Sequence, residues 1–123
     1  MKPLRGSVVT LMACGALAAL PSAAADGSAG RGAATYQTHC ARCHGEAGDG
    51  QSRLAALLRP QPPNLRASRL SRAEQERIVR LGGEANKRSA LMPMWQTQLS
   101  EGEIVGVLDY LQSIRTTPIE RRP

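Results

Sequence analysis

Two cysteines three apart and followed at once by a histidine, Cys40-Ala41-Arg42-Cys43-His44, are the most chemically pointed residues in this 123-residue chain. On a helical turn, side chains at i and i+3 project to nearly the same side. Both sulfurs can therefore reach one edge of a flat ligand while His44 turns beneath it. C-x-x-C-H is the attachment pattern of a covalent haem: the thiols form thioethers with two vinyl groups on one porphyrin edge, and the histidine places an imidazole nitrogen on the iron. Three other chemistries compete for these residues. A disulfide between Cys40 and Cys43 would close a loop too small to restrain the unfolded chain much. A zinc site would have to use His39, Cys40, Cys43 and His44, whereas structural zinc normally draws two ligands from each of two separated segments. A thioredoxin-like redox pair belongs beside a βαβ pattern, and no strand alternation is present to supply one.

Helices must hold this turn in place. From Gly32, the positions Ala33, Tyr36, Gln37 and Cys40 recur at one-face spacing and predict a helix leading into the motif. Residues 26–31, rich in Gly, Ser and Ala, read as a flexible lead-in. The run Gly45 to Gly50 is a loop, and Leu54 to Arg59 suits one or two helical turns ended by Pro60, Pro62 and Pro63. Ser71-Arg72-Ala73-Glu74 is a capping-box pattern that opens a helix to about Leu81, where Gly82-Gly83 stops it. Ser100-Glu101-Gly102-Glu103 repeats the pattern and opens the strongest amphipathic stretch, with Ile104, Val107, Leu108, Leu111 and Ile114 on one face. Residues 116–123 form a polar tail. The fold class is all-α, with three to five short helices and long loops around one covalent haem, in a domain over residues 32–115.

The N-terminus predicts where the chain goes. Lys2 and Arg5 precede an apolar run from Val8 to Leu20, Pro21 breaks it, and Ala23-Ala24-Ala25 offers a small-residue cleavage site. This is the layout of a secretory signal peptide cleaved after Ala25. The run is shorter than the roughly 20 apolar residues of a membrane-spanning helix. A retained anchor, or lipidation at Cys14, is the alternative. Export to the periplasm suits the motif, because haem attachment to cysteines is completed outside the cytoplasm.

Composition points the same way. Residues 26–123 number 98 and contain 17 Leu, Ile and Val, one Trp, two Tyr and no Phe. This is below the roughly 20% line at which composition starts to suggest disorder, and small domains often need a cofactor or staple. A porphyrin supplies the missing apolar bulk. Leu54, Leu57, Leu58, Leu65, Leu70, Ile78, Leu81 and Leu91 are then its expected walls.

With these residues in order, the chain resembles the small class I cytochrome c family. The resemblance runs from Gly32-x-x-x-Tyr36 through Cys40 to His44, His44-Gly45-x-x-Gly48-x-Gly50, Pro62-Pro63-Asn64-Leu65 and Met92-Pro93-x-Trp95 to the closing helix up to Tyr110-Leu111. It implies that Met92 is the second axial ligand, with Met94 as the competing residue. It also implies that the Pro62 carbonyl, or failing it that of Pro63, accepts a hydrogen bond from His44. Trp95 would sit at a haem edge or serve as a core aromatic, Gly32 and Tyr36 would pack on the final helix near Tyr110, and His39 would be a surface residue.

The function implied is single-electron transfer, by a free carrier or by an electron-entry subunit of a periplasmic complex, with no catalytic residue of its own. The alternative is a haem enzyme or gas sensor with a labile Met. Residues 26–123 carry 14 Lys and Arg against 10 Asp and Glu, a modest excess that steers a carrier towards acidic docking sites on redox partners. Arg42, Arg53, Arg66, Lys87 and Arg88 lie in segments expected near the haem opening. An aromatic-poor exported chain without a basic stripe offers no reader for nucleic acid. The expected state is a monomer or a subunit of a complex, with no membrane span after cleavage.

Overall fold

The computed structural model describes residues 24–116. The expected signal segment up to Ala23, Cys14 within it, and the tail from residue 117 lie outside the described residues. Within them the chain is all helical: α1 (Ala24–His39), α2 (Ala41–His44), α3 (Arg72–Ala85), a 3₁₀ turn (Trp95–Thr97) and α4 (Glu101–Ser113). No helix among the described residues is long and apolar enough to cross a membrane.

Residues 26–31, expected as an irregular lead-in, belong to the first turns of α1. Once the packed segment around Tyr36 is helical, extension backwards adds a hydrogen bond for each residue fixed, and Ala24, Ala25 and Ala29 offer no resistance. The stretch Leu54 to Arg59 forms only turns. Leu57 and Leu58 donate to the Leu54 carbonyl at 2.9 and 3.2 Å, and no helix follows.

Both expected capping boxes form. The Ser71 and Ser100 side chains accept from the Glu74 and Glu103 amides, and each glutamate reaches back to the cap backbone. Two orphan amides at each helix start are thereby satisfied. In α3 the helical geometry breaks at Gly82, whose φ of 76° is outside the helical region, so the expected stop at Gly82-Gly83 is a kink followed by one more turn.

The core forms two clusters that share α4. Val107 and Leu111 pack with Tyr36 and Ala41, while Ile104 and Leu108 pack with Val79 and Leu99. The face predicted for α4 is thus divided between α1 and α3. The α1–α4 crossing is backbone on backbone: a Cβ added at Gly32 would lie 1.8 Å from the Gly106 carbonyl oxygen. Only glycine admits that approach. Beside it, the Tyr36 and Tyr110 rings meet at 5.1 Å, and the fully buried Tyr36 hydroxyl donates to the Gly45 carbonyl at 2.7 Å. Arg80 of α3 joins the start of α4 through two bonds to Glu101, at 2.7 and 2.8 Å. This pairing raises the Arg80 pKa and lowers that of Glu101.

Candidate functional site

The site grows out of the end of α1. Tyr36, His39, Cys40 and Cys43 follow at i, i+3, i+4 and i+7, and all four line one cavity of about 580 Å³. His44 closes the same turn and lines it too. The volume lies within the range of roughly 300–1,000 Å³ typical of small-molecule and cofactor sites, and its walls are mainly apolar. His39 was expected on the surface. It is half-buried at the cavity and edge-on to Trp95, with ring centroids 5.5 Å apart. Its i+3 spacing from the buried Tyr36 is the sequence signal for this position.

Cys40 and Cys43 are unbridged and half-buried. Burial, with a smaller contribution from neighbouring Cys43, pushes the Cys40 thiol up to about 12. The disulfide reading is therefore not what the geometry forms. Among the described residues, no three His, Cys, Asp or Glu side chains converge as a metal ion would require, which leaves the zinc reading without a ligand set.

His44 is oriented by the proline loop. Its Nδ1 lies 3.4 Å from the Pro63 carbonyl oxygen, so the contact expected of Pro62 falls on the next residue. The reason is local: the Gly50 amide donates to the His44 carbonyl, and Gly48 holds Leu65. This docks the loop with Pro63, the residue two before Leu65, over the imidazole. Pro62 still lines the cavity. A carbonyl only accepts, so Nδ1 carries the proton and Nε2 keeps its lone pair. Burial lowers the His44 pKa, with the Pro63 contact opposing it, and the ring is a neutral donor at neutral pH.

The second sulfur donor arrives on the loop after α3. Met92, Pro93 and Trp95 line the cavity, whereas Met94 is not on its wall, is 44% exposed and lies beside Gln96. The seat of this loop is Gly82-Gly83. The Gly83 amide donates to the Met92 carbonyl at 3.0 Å, and a Cβ at Gly83 would lie 1.9 Å from the Ser89 carbonyl oxygen. Sequence reasoning treated the pair only as a helix stop. Its second role depends on a contact with a segment nine residues on, and no local pattern reports that.

The expected walls are partly confirmed. Leu58, Leu65, Leu70, Ile78 and Leu91 line the cavity, but Leu54, Leu57 and Leu81 do not. Leu57 is 77% exposed, because its segment forms turns without the helical face that would have turned it inward. Tyr36, Val79, Val107 and Leu111 take their place. Of the five basic residues expected near the opening, only Arg88 lies on the cavity wall; Arg42 and Arg53 line a separate open cleft.

An apolar chamber with two free thiols on one turn, a neutral imidazole and a thioether matches the donor set and the bulk of a covalent haem. Comparison with curated protein sequences gave no match. Among solved structures, the fold is similar to a chain of the reducing HAO-like protein complex from Kuenenia stuttgartiensis, with a TM-score of 0.58 and 24% identity. The match covers 69% of this chain and 41% of that one, so this chain spans less than half the length of its structural neighbour. The sequence pattern of the family described as "Cytochrome C oxidase, cbb3-type, subunit III" matches residues 27–111. The chain belongs to that family of c-type cytochromes.

Proposed function

We propose that this chain passes single electrons between exported redox proteins through one haem c, attached at Cys40 and Cys43 and ligated by His44 and Met92. The observation that carries this reading is the meeting of those four side chains at one apolar cavity, from which Met94 is turned away. The bound group supplies one-electron cycling of its iron between ferric and ferrous states. The chain's own residues hold and tune it. Cys40 and Cys43 would hold the group through their sulfurs, the Pro63 carbonyl sets the tautomer of His44 so that its Nε2 would be one iron donor, and the Met92 thioether would be the other. A thioether donor would raise the potential relative to many other ligations and favour electron transfer over oxygen binding. Leu58, Leu65, Leu70 and Val79 give the chamber apolar walls. Trp95 closes its wall against His39.

Export to the periplasm accompanies this reading, on the strength of the signal-like N-terminus and of haem attachment outside the cytoplasm. The family description names a subunit of an oxidase, which supports work either as an electron-entry subunit or as a carrier for such a complex. The modest positive charge and Arg88 at the cavity wall favour an acidic partner.

A pyridine haemochrome assay on purified protein tests the core of the proposal. The expected result is one haem per chain, with a thioether-type spectrum that survives denaturation and acid–acetone extraction. Haem that extracts freely, or none, overturns it. A high-spin native ferrous spectrum with ready CO binding would instead support the haem enzyme or gas sensor.

A further inference from the structure

Among the described residues, Arg115 carries buried donors that no acceptor meets. Arg115 follows the end of α4 and folds back onto the loop before α3, where Nη2 donates to the Leu70 carbonyl. Its Nε and Nη1 are shut off from solvent and have no hydrogen-bond partner. A guanidinium cannot shed its proton to escape burial, and a buried charged donor without an acceptor is costly. The ion-paired carboxylates of α3 and α4 have other partners: Asp109 pairs with Arg72, and Glu76 and Glu101 with Arg80. Among the described residues nothing accepts from these two donors, so the position suits an added anion.

It also adjoins the cavity. Leu70, Ser68 and Gln75 all line the chamber. The Ser68 hydroxyl accepts from the Leu70 amide at 3.3 Å and from Gln75 Nε2 at 3.4 Å, while Gln75 Oε1 accepts from Gln112 at 2.7 Å. Gln75 is only 5% exposed. A polar strip therefore crosses an otherwise mainly apolar wall and ends at the Arg115 guanidinium. A haem has two carboxylates as its only charged substituents, and one that lies inside the chamber needs such donors.

Resting on the haem reading above, we propose that Arg115 anchors a haem carboxylate, donating to it from Nε and Nη1, directly or through one water. The competing cation is Arg88, which lines the cavity but is exposed. Water screens it, so its hold on a carboxylate is weaker.

The test compares holoprotein variants Arg115→Met, Arg115→Lys and Arg88→Met by reduction midpoint and by redox-difference infrared spectra in the carboxylate region. Removing a buried positive charge beside the haem disfavours the reduced state. Arg115→Met should thus lower the midpoint and shift the carboxylate band. Arg115→Lys should keep most of the midpoint but still shift the band, because the planar fork is lost. Arg88→Met should move both less. A midpoint and band unchanged in Arg115→Met, with only a lower melting temperature, would show that Arg115 merely clamps Leu70 and would overturn the proposal. Larger shifts from Arg88→Met would overturn it too. Should Arg115→Met fail to accumulate, an unshifted band in Arg115→Lys decides against it. Haemochrome content of the wild type separates this failure from that of the haem reading: haem present with unmoved spectra rejects Arg115 alone.

Discussion

At the scale of single residues, the site is a set of sulfur and nitrogen donors, two of which, Cys40 and His44, burial holds in their neutral forms. The Cys40 thiol is held protonated, pushed up to about 12, and conversion to a neutral thioether removes a group that could not ionise comfortably there. His44 stays neutral because burial opposes its charge, and the Pro63 carbonyl selects the tautomer with Nε2 free. The two methionines differ in exposure and in surroundings. Met92 packs with Trp95 beside the α3–α4 cluster, and Met94 is exposed beside Gln96. Accordingly, Met92→Ala should abolish the ferric Met-ligation band and lower the midpoint, while Met94→Ala leaves both near wild type. Optical titration of the two variants checks this, and the reverse pattern would assign the ligand to Met94. The resemblance already favoured Met92, which directly precedes Pro93; the loop's seat on Gly82-Gly83 adds the difference in exposure.

At the scale of elements, α1 and α4 position the attachment turn, and their crossing tolerates almost no change. Gly32→Ala forces a Cβ to within 1.8 Å of backbone, and no rotamer relieves a backbone clash. Overpacking of this kind costs about 1–3 kcal/mol or more. Gly102→Ala, on the exposed first turn of α4 with nothing within 4 Å of the added Cβ, should instead gain about 0.5–1 kcal/mol. Denaturant unfolding of both variants measures the contrast; equal effects would mean that the crossing is looser than described. The two caps were readable in the sequence, since Ser-x-x-Glu acts within one turn. Ser100→Ala should cost about 1 kcal/mol, again read by denaturant unfolding. The Leu54 to Arg59 stretch was less readable. Its leucines suit a helix, but only turns form there, followed directly by the proline-rich segment.

At the scale of the whole molecule, the cavity accounts for the thin side-chain core. Both clusters contribute to its wall, Tyr36, Val107 and Leu111 from one and Val79 from the other. Without a cofactor, about 580 Å³ of mainly apolar-walled space stands unfilled at the centre of the molecule, a heavy penalty against the roughly 5–15 kcal/mol that holds a whole domain together. A Cys40→Ser/Cys43→Ser chain should therefore lose most of its helical circular dichroism and fall in abundance. A cooperative melt of that haem-free chain near the wild-type temperature would count against a cofactor-dependent core.

The C-x-x-C-H motif, the all-α class, both capping boxes and the apolar face of α4 follow from the sequence alone. Each depends on residues within a turn or two of one another, so local spacing carries the information. Contacts between distant segments decided the rest. The imidazole is held by Pro63 and not Pro62 because Gly48 and Gly50 dock that loop. His39 faces the chamber because α1 continues through it, and Met92 is set apart from Met94 by a loop that closes on Gly83. The two unmet donors of the Arg115 guanidinium have no signature in the sequence at all. Its incompleteness exists only once the chain after α4 folds back on Leu70 and shuts water out.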